Sequence, residues 1–213
     1  MNKGCLCTSD ERSRKLHKAT DSMEGLSRVL VSYGGETGDE VDWTAVEAAY
    51  GTAFPEDYTR FVQWFGNGTI EGAIGVMIPV VTDDRTTRRV SRLPERALAD
   101  SAFRRWSDPD LEGKASLDEI LVWGETDSAD SLGWITTGAD PDEWPVAVYH
   151  RGDAAWVVHH CGMAEFLVKL IRGEFPECPI SDASLVGAQG LRFLHDREEE
   201  RLAGLGVYPW AGD

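Results

Sequence analysis

Carboxylates crowd two short stretches of this sequence: Glu125, Asp127 and Asp130, then Asp140, Asp142 and Glu143. Acids so close together can hold a cation, or divide the work of general acid and general base. The spacing is not that of an EF-hand loop, and acid-rich turns between strands are ordinarily solvated. A third use is to present a negative rim to a basic protein. His159, His160 and Cys161 are contiguous, but neighbouring strand residues point to opposite faces and cannot share one ion without a bend. Cys5-x-Cys7 lies in a polar N-terminal stretch, and neither C-x-x-C nor H-E-x-x-H occurs. No G-x-S-x-G motif is present, and Cys161 before Gly162 reads as a small buried hydrophobe at a strand end. Gly66-Asn67-Gly68 lacks the Lys and Ser/Thr of a phosphate-binding loop. These residues predict no catalytic set, no metal site and no cofactor, with all four cysteines as free thiols. Arg151-Gly152-Asp153 reads as a turn.

Charge narrows the range of partners. The chain of 213 residues carries 21 Lys+Arg against 37 Asp+Glu, a formal charge of −16. Such a surface repels nucleic acid and anionic lipid and attracts a basic protein, although acidity also serves solubility alone. Arg85 to Arg105 holds seven arginines and two acids, and Trp106 to Glu143 then holds eleven acids and one base. Adjacent blocks of opposite sign mark an interaction surface, or pair with each other inside the fold.

The elements that would position these residues follow from periodicity. Cys7 to Thr20 is polar and reads as a frayed tail, while Leu26, Val29, Leu30 and Tyr33 fit a short amphipathic helix. Asp42 is placed to cap a helix with Trp43, Val46 and Tyr50 on one face, closed by Gly51. Pro55, Glu56 and Asp57 open a second helix with Tyr58, Phe61, Val62 and Phe65 on its stripe and Gly66 at its end. Trp64 lies off that stripe. It reads either as an exposed interface anchor or as core buried from its other side.

Ile74 to Val81 is an extended run, and residues 82–118 read as an Arg- and Asp-rich excursion with one helix around Pro94 to Trp106. Ile120 to Trp123, Leu132 to Thr136, Val146 to His150 and Ala155 to His160 form a strand meander. Met163, Phe166, Leu167, Leu170 and Ile171 then make a closing amphipathic helix that ends at Gly173. A charged helix is expected near Asp196 to Ala203. Helices, then a meander, then a helix imply an α+β fold on an antiparallel or mixed sheet. No apolar run is long enough to span a bilayer and no export signal is seen, so the expected location is the cytoplasm.

Several of these residues also carry a resemblance. Trp43-Thr-Ala-Val-Glu47, Phe54-Pro-Glu-Asp-Tyr58, Phe61 and Trp64-Phe-Gly-Asn-Gly68 resemble the opening of SUKH-superfamily domains, with Phe54 in place of the usual Leu. Trp123-Gly-Glu-Thr126, Leu132-Gly-Trp134, Asp140-Pro-Asp-Glu-Trp-Pro-Val146 and Met163-Ala-Glu-Phe-Leu167 resemble the later strands and closing helix. The resemblance covers roughly residues 41–175, leaving 1–40 as a polar tail with a short helix and 176–213 as an extension. It implies a non-catalytic domain and, for bacterial members, an immunity protein that neutralises a toxin, often a nuclease. The competing expectations are a regulatory or scaffold module of the same fold with another partner and, third, an enzyme using the acid cluster. The expected contact residues are the six acids, with Trp64 as the apolar anchor.

Overall fold

A computed structural model describes residues 9–34, 37–81, 89–111 and 115–210. The two helices expected after Asp42 are present and set the frame. Among the described residues the first helix is α1 (Ser9–Ser27), followed by strand β1 (Leu30–Tyr33), α2 (Trp43–Tyr50) and α3 (Glu56–Trp64). Asp42 caps α2 by accepting from the Ala45 N–H at 3.0 Å, and Gly51 closes it in the left-handed conformation. Pro55 sits one residue earlier than expected, at the N-cap of α3. Tyr58, Phe61, Val62 and Phe65 are all buried beneath these helices.

The sheet they cover contains β2 (Gly68–Ile70), β3 (Ile74–Val76), β4 (Ser91–Arg92), β5 (Ile120–Thr126), β6 (Ser131–Ile135), β7 (Val146–His150), β8 (Ala155–His159) and β9 (Leu191–His195). Its order is β1-β9-β2-β3-β5-β6-β7-β8, with β4 also on β5. Of these strand pairs only β1 and β9 run parallel, so the sheet is mixed and the fold is α+β. Helices α2, α3 and α5 (Met163–Arg172) and the apolar stripe of α1 lie on one face. Tyr58 meets Trp134 edge-on at 5.0 Å and donates its hydroxyl to the Met77 carbonyl at 2.6 Å, while Phe61 meets Phe193 at 5.6 Å. The excursion returns as α4 (Glu95–Ala99) and a 3-10 turn at Ser101–Arg104, whose Phe103 packs on Tyr149 and Trp156. The second face also carries α6 (Asp196–Gly204). No helix among the described residues is long and apolar enough to cross a membrane.

Three expectations about the ends of the chain need correction. The stretch to Thr20 is not a frayed tail from Ser9 onward, because α1 buries Ala19, Met23 and Leu26 against α5 and α3. Its helix ends at Ser27. Leu30 is buried as expected, but as the first residue of a strand, since Leu30 to Tyr33, with β-branched Val31 and aromatic Tyr33, finds a partner in β9. Strand β9 lies between β1 and β2, so the sheet runs through both boundaries drawn at residues 41 and 175. Cys5 and Cys7 lie outside the described residues.

Gly66 shows how tightly α3 exits into this sheet. Its φ is +81°, and a Cβ there would lie 2.6 Å from both Asp39 Oδ2 and His195 Nε2. Gly66→Ala should therefore lower stability by at least about 2 kcal/mol. Gly51→Ala, with φ +71° and open space around it, should cost only about 1 kcal/mol. Urea unfolding of both variants checks this, and equal losses would remove the steric part of the explanation.

Candidate functional site

Side chains of adjacent strands line up across the outer face of the sheet. Thr69 of β2 pairs with Gly75 of β3, and Gly75 with Glu125 of β5, so the three share that face in one row. Thr69 and Gly75 are small, which leaves a depression. Helix α6 forms its wall. Asp196, Glu199, Glu200 and Ala203 recur at helical spacing and so look the same way. Together they enclose a trough of about 360 Å³ that carries four carboxylates and no Lys or Arg in its lining. Burial, then the neighbouring Asp196 charge, raises the Glu199 carboxyl above its usual value. The like charges crowd one another, and a cation entering the trough would relieve them.

Behind the trough, a buried network fixes the start of α6. His195 Nδ1 accepts from the Arg197 N–H at 3.1 Å, so the ring proton sits on Nε2 and is donated to Asp39 at 3.1 Å. Asp39 also accepts from the Asn67 N–H at 2.8 Å and from Arg197 at 2.5 Å. Burial alone would raise the Asp39 carboxyl, but these donors outweigh it and hold it below the usual range. An Asp–His pair suggests a catalytic dyad. Here both imidazole nitrogens are spent inside the fold, which leaves none to accept a substrate proton. Cys161 is buried, with its thiol pushed up to about 11 by that burial, and His159 packs between Phe166 and Phe175 and is pushed down to about 4. Among the described residues no cluster of three or more His, Cys, Asp or Glu could hold a metal ion.

A second concavity opens on the helical side. Trp64 is 42% exposed at the end of α3, off the buried stripe. It borders a groove of about 700 Å³ with Trp43 and Phe54 in its lining and Glu40, Glu47 and Glu56 around it. Arg60 belongs to the same lining but is held by Glu56 at 2.9 Å.

The six acids expected to form one rim do not do so. Glu125 and Asp127 are exposed beside the turn from β5 to β6. Asp140, Asp142 and Glu143 lie in the next connection, from β6 to β7. Consecutive turns of an antiparallel meander fall at opposite ends of the sheet, here separated by the length of β6, about 3.4 Å per residue. Asp130 is fully buried. Its Oδ1 accepts from the Arg151 N–H at 2.7 Å and the Ser181 hydroxyl at 2.6 Å. Its Oδ2 accepts from the Ser181 N–H at 2.8 Å and the Thr126 hydroxyl at 2.9 Å. No lone pair is left for a partner. Asp142 caps α3 through the Glu56 N–H at 2.7 Å, and Asp140 caps the 3-10 turn at Pro141–Glu143.

Of the expected contact residues, then, Glu125 joins the trough and Trp64 the aromatic groove, while Asp127 stays exposed outside both linings. The trough itself was carried by a pattern in plain view, Asp196-x-x-Glu199-Glu200-x-x-Ala203, whose meaning depends on the sheet beneath it. Comparison of the chain with protein-family models, with curated proteins and with solved structures gave no match.

Proposed function

We propose that this chain is a non-catalytic binding domain of the immunity type, which engages a basic protein partner such as a toxin domain. The acidic trough carries the proposal. Its four carboxylates line one concavity that has no Lys or Arg in its lining. A Lys or Arg side chain projecting from a partner matches it in size and charge. The chain's formal charge of −16 would speed the encounter with a basic surface, and the exposed Trp64 offers an apolar anchor on the helical side. The helix pair, meander and closing helix follow the order implied by the SUKH resemblance, which supports the same reading.

Capture from cell extract followed by mass spectrometry should recover a basic protein. With that protein in hand, Glu125→Gln/Glu199→Gln/Glu200→Gln should slow association by about ten-fold or more at low salt, and the deficit should shrink as salt rises. An equal association rate for the variant at low salt would remove the trough from the interface. A captured partner that is acidic would overturn the proposal itself.

A further inference from the structure

The two edges of the sheet are treated differently. At β8, the chain crosses its own edge at Trp156: Trp156 N–H donates to the Arg105 carbonyl at 2.8 Å, and Ser107 N–H to the Trp156 carbonyl at 2.8 Å. At the other edge, β1 pairs with β9 alone among the described residues. Its sequence, Leu30-Val-Ser-Tyr33, has no charge, no proline and no bulge, the devices by which exposed edges are kept from pairing. Val31 is 50% exposed.

The surface beside this edge is also unlike the rest of the molecule. Val31 pairs with Arg192 in the parallel ladder, and the Arg192 guanidinium lies over Tyr33 at 5.3 Å and over Trp210 at 4.8 Å. Glu71 neutralises Arg192 with two hydrogen bonds, at 2.8 and 2.9 Å. Trp210 thereby fastens the segment after α6, where Val207 and Tyr208 are exposed, against the β1 side of the sheet. An uncharged, partly apolar border thus flanks an open strand on a chain of charge −16.

We infer that this edge is where two copies of the chain meet, β1 against β1 in antiparallel fashion about a two-fold axis. Like-charged molecules can approach closely only where their charge is neutralised, and this border meets that condition. A strand paired with its own copy is self-complementary. At the β8 edge, residues 105–107 already occupy Trp156 and stand in the way of a second strand, so association closes at a dimer.

Sedimentation equilibrium of the full chain across a concentration series tests this. The expected result is a monomer–dimer equilibrium that shifts toward dimer as salt screens the net negative charge, with amides of Leu30 to Tyr33 gaining hydrogen-exchange protection as concentration rises. Val31→Lys and, separately, Tyr208→Ser should each weaken the dimer about ten-fold while leaving the thermal transition of the monomer in place. The trough variant above should leave the dimer intact, which separates this inference from the proposed partner site. A monomeric mass throughout, or a dimer that Val31→Lys does not weaken, would overturn it.

Discussion

Replacing the buried Asp130 with alanine is expected to lower the unfolding free energy by about 3–4 kcal/mol, the largest loss from any single acid of the strand connections. The carboxylate ties the β5–β6 turn to the β7–β8 loop and to the segment at Ser181. Its removal leaves two backbone N–H groups and two hydroxyls without their acceptor, and each such loss in a buried place costs about 1 kcal/mol or more. Burial pushes this carboxyl upward, yet the hydrogen bonds from Ser181, Arg151 and Thr126 prevail and its folded pKa lies below the ordinary value. The stabilisation is therefore complete above the unfolded pKa of about 3.9 and fades as pH falls through the lower folded value. Asp130→Asn should flatten that acid limb of the stability curve. Urea titrations from neutral pH downward would show it, and a wild-type acid limb in the variant would refute the assignment.

Asp57 should behave in the opposite sense. It is 8% exposed at the start of α3, and its Oδ2 accepts from the Ala164 N–H of α5 at 2.9 Å. Burial raises its carboxyl to about 6, against the pull of the Ala164 and Tyr58 N–H groups. Lys18 on α1, Asp142 and Glu165 line the same small space, and Asp142 pushes in the same direction as burial. The folded chain thus holds a proton that the unfolded chain has already released. Stability from this group is greatest below the unfolded value and falls as pH rises through about 6, by on the order of 3 kcal/mol at most. Asp57→Asn keeps an oxygen for Ala164 and loses the charge. It should stabilise the protein by about 1–3 kcal/mol at pH 8 and change little at pH 4. Equal effects at both pH values would show that the carboxylate charge is not the cause.

These two acids also show what the sequence could and could not reveal. From spacing alone, Asp57 reads as a helix-terminal acid and Asp130 as one of a rim. Both readings follow from local spacing, and both miss a partner more than twenty residues away in the chain. Local information was sufficient for α2, α3, α5 and the four meander strands. Their apolar spacing, caps and turn glycines lie within single segments such as Met163 to Gly173. It failed for β2, only three residues long, and for β1 and β9, which are strands chiefly because they find each other. The rim failed for a topological reason: alternation of turn direction in a meander is a property of pairing, not of charge. Replacing Asp127, Asp130 and Asp140 together would mix an exposed acid, a buried structural one and a helical cap. The charged face of α6 was legible as a helix, but its role required knowing that Thr69, Gly75 and Glu125 form a row below it.

The placement of β9 between β1 and β2 has a consequence for synthesis on the ribosome. Leu30 emerges early, yet its ladder partner is Leu191, and Gly68 must likewise await His195. Until β9 leaves the exit tunnel, β1 has no neighbour in the sheet and β2 has only β3. The meander and its helices can assemble beforehand, because their pairings are local, while β1 and one side of β2 stay open. Folding of the whole sheet is thus timed by a late strand, and a nascent chain stalled before Leu191 would display an open edge on each side of the missing β9.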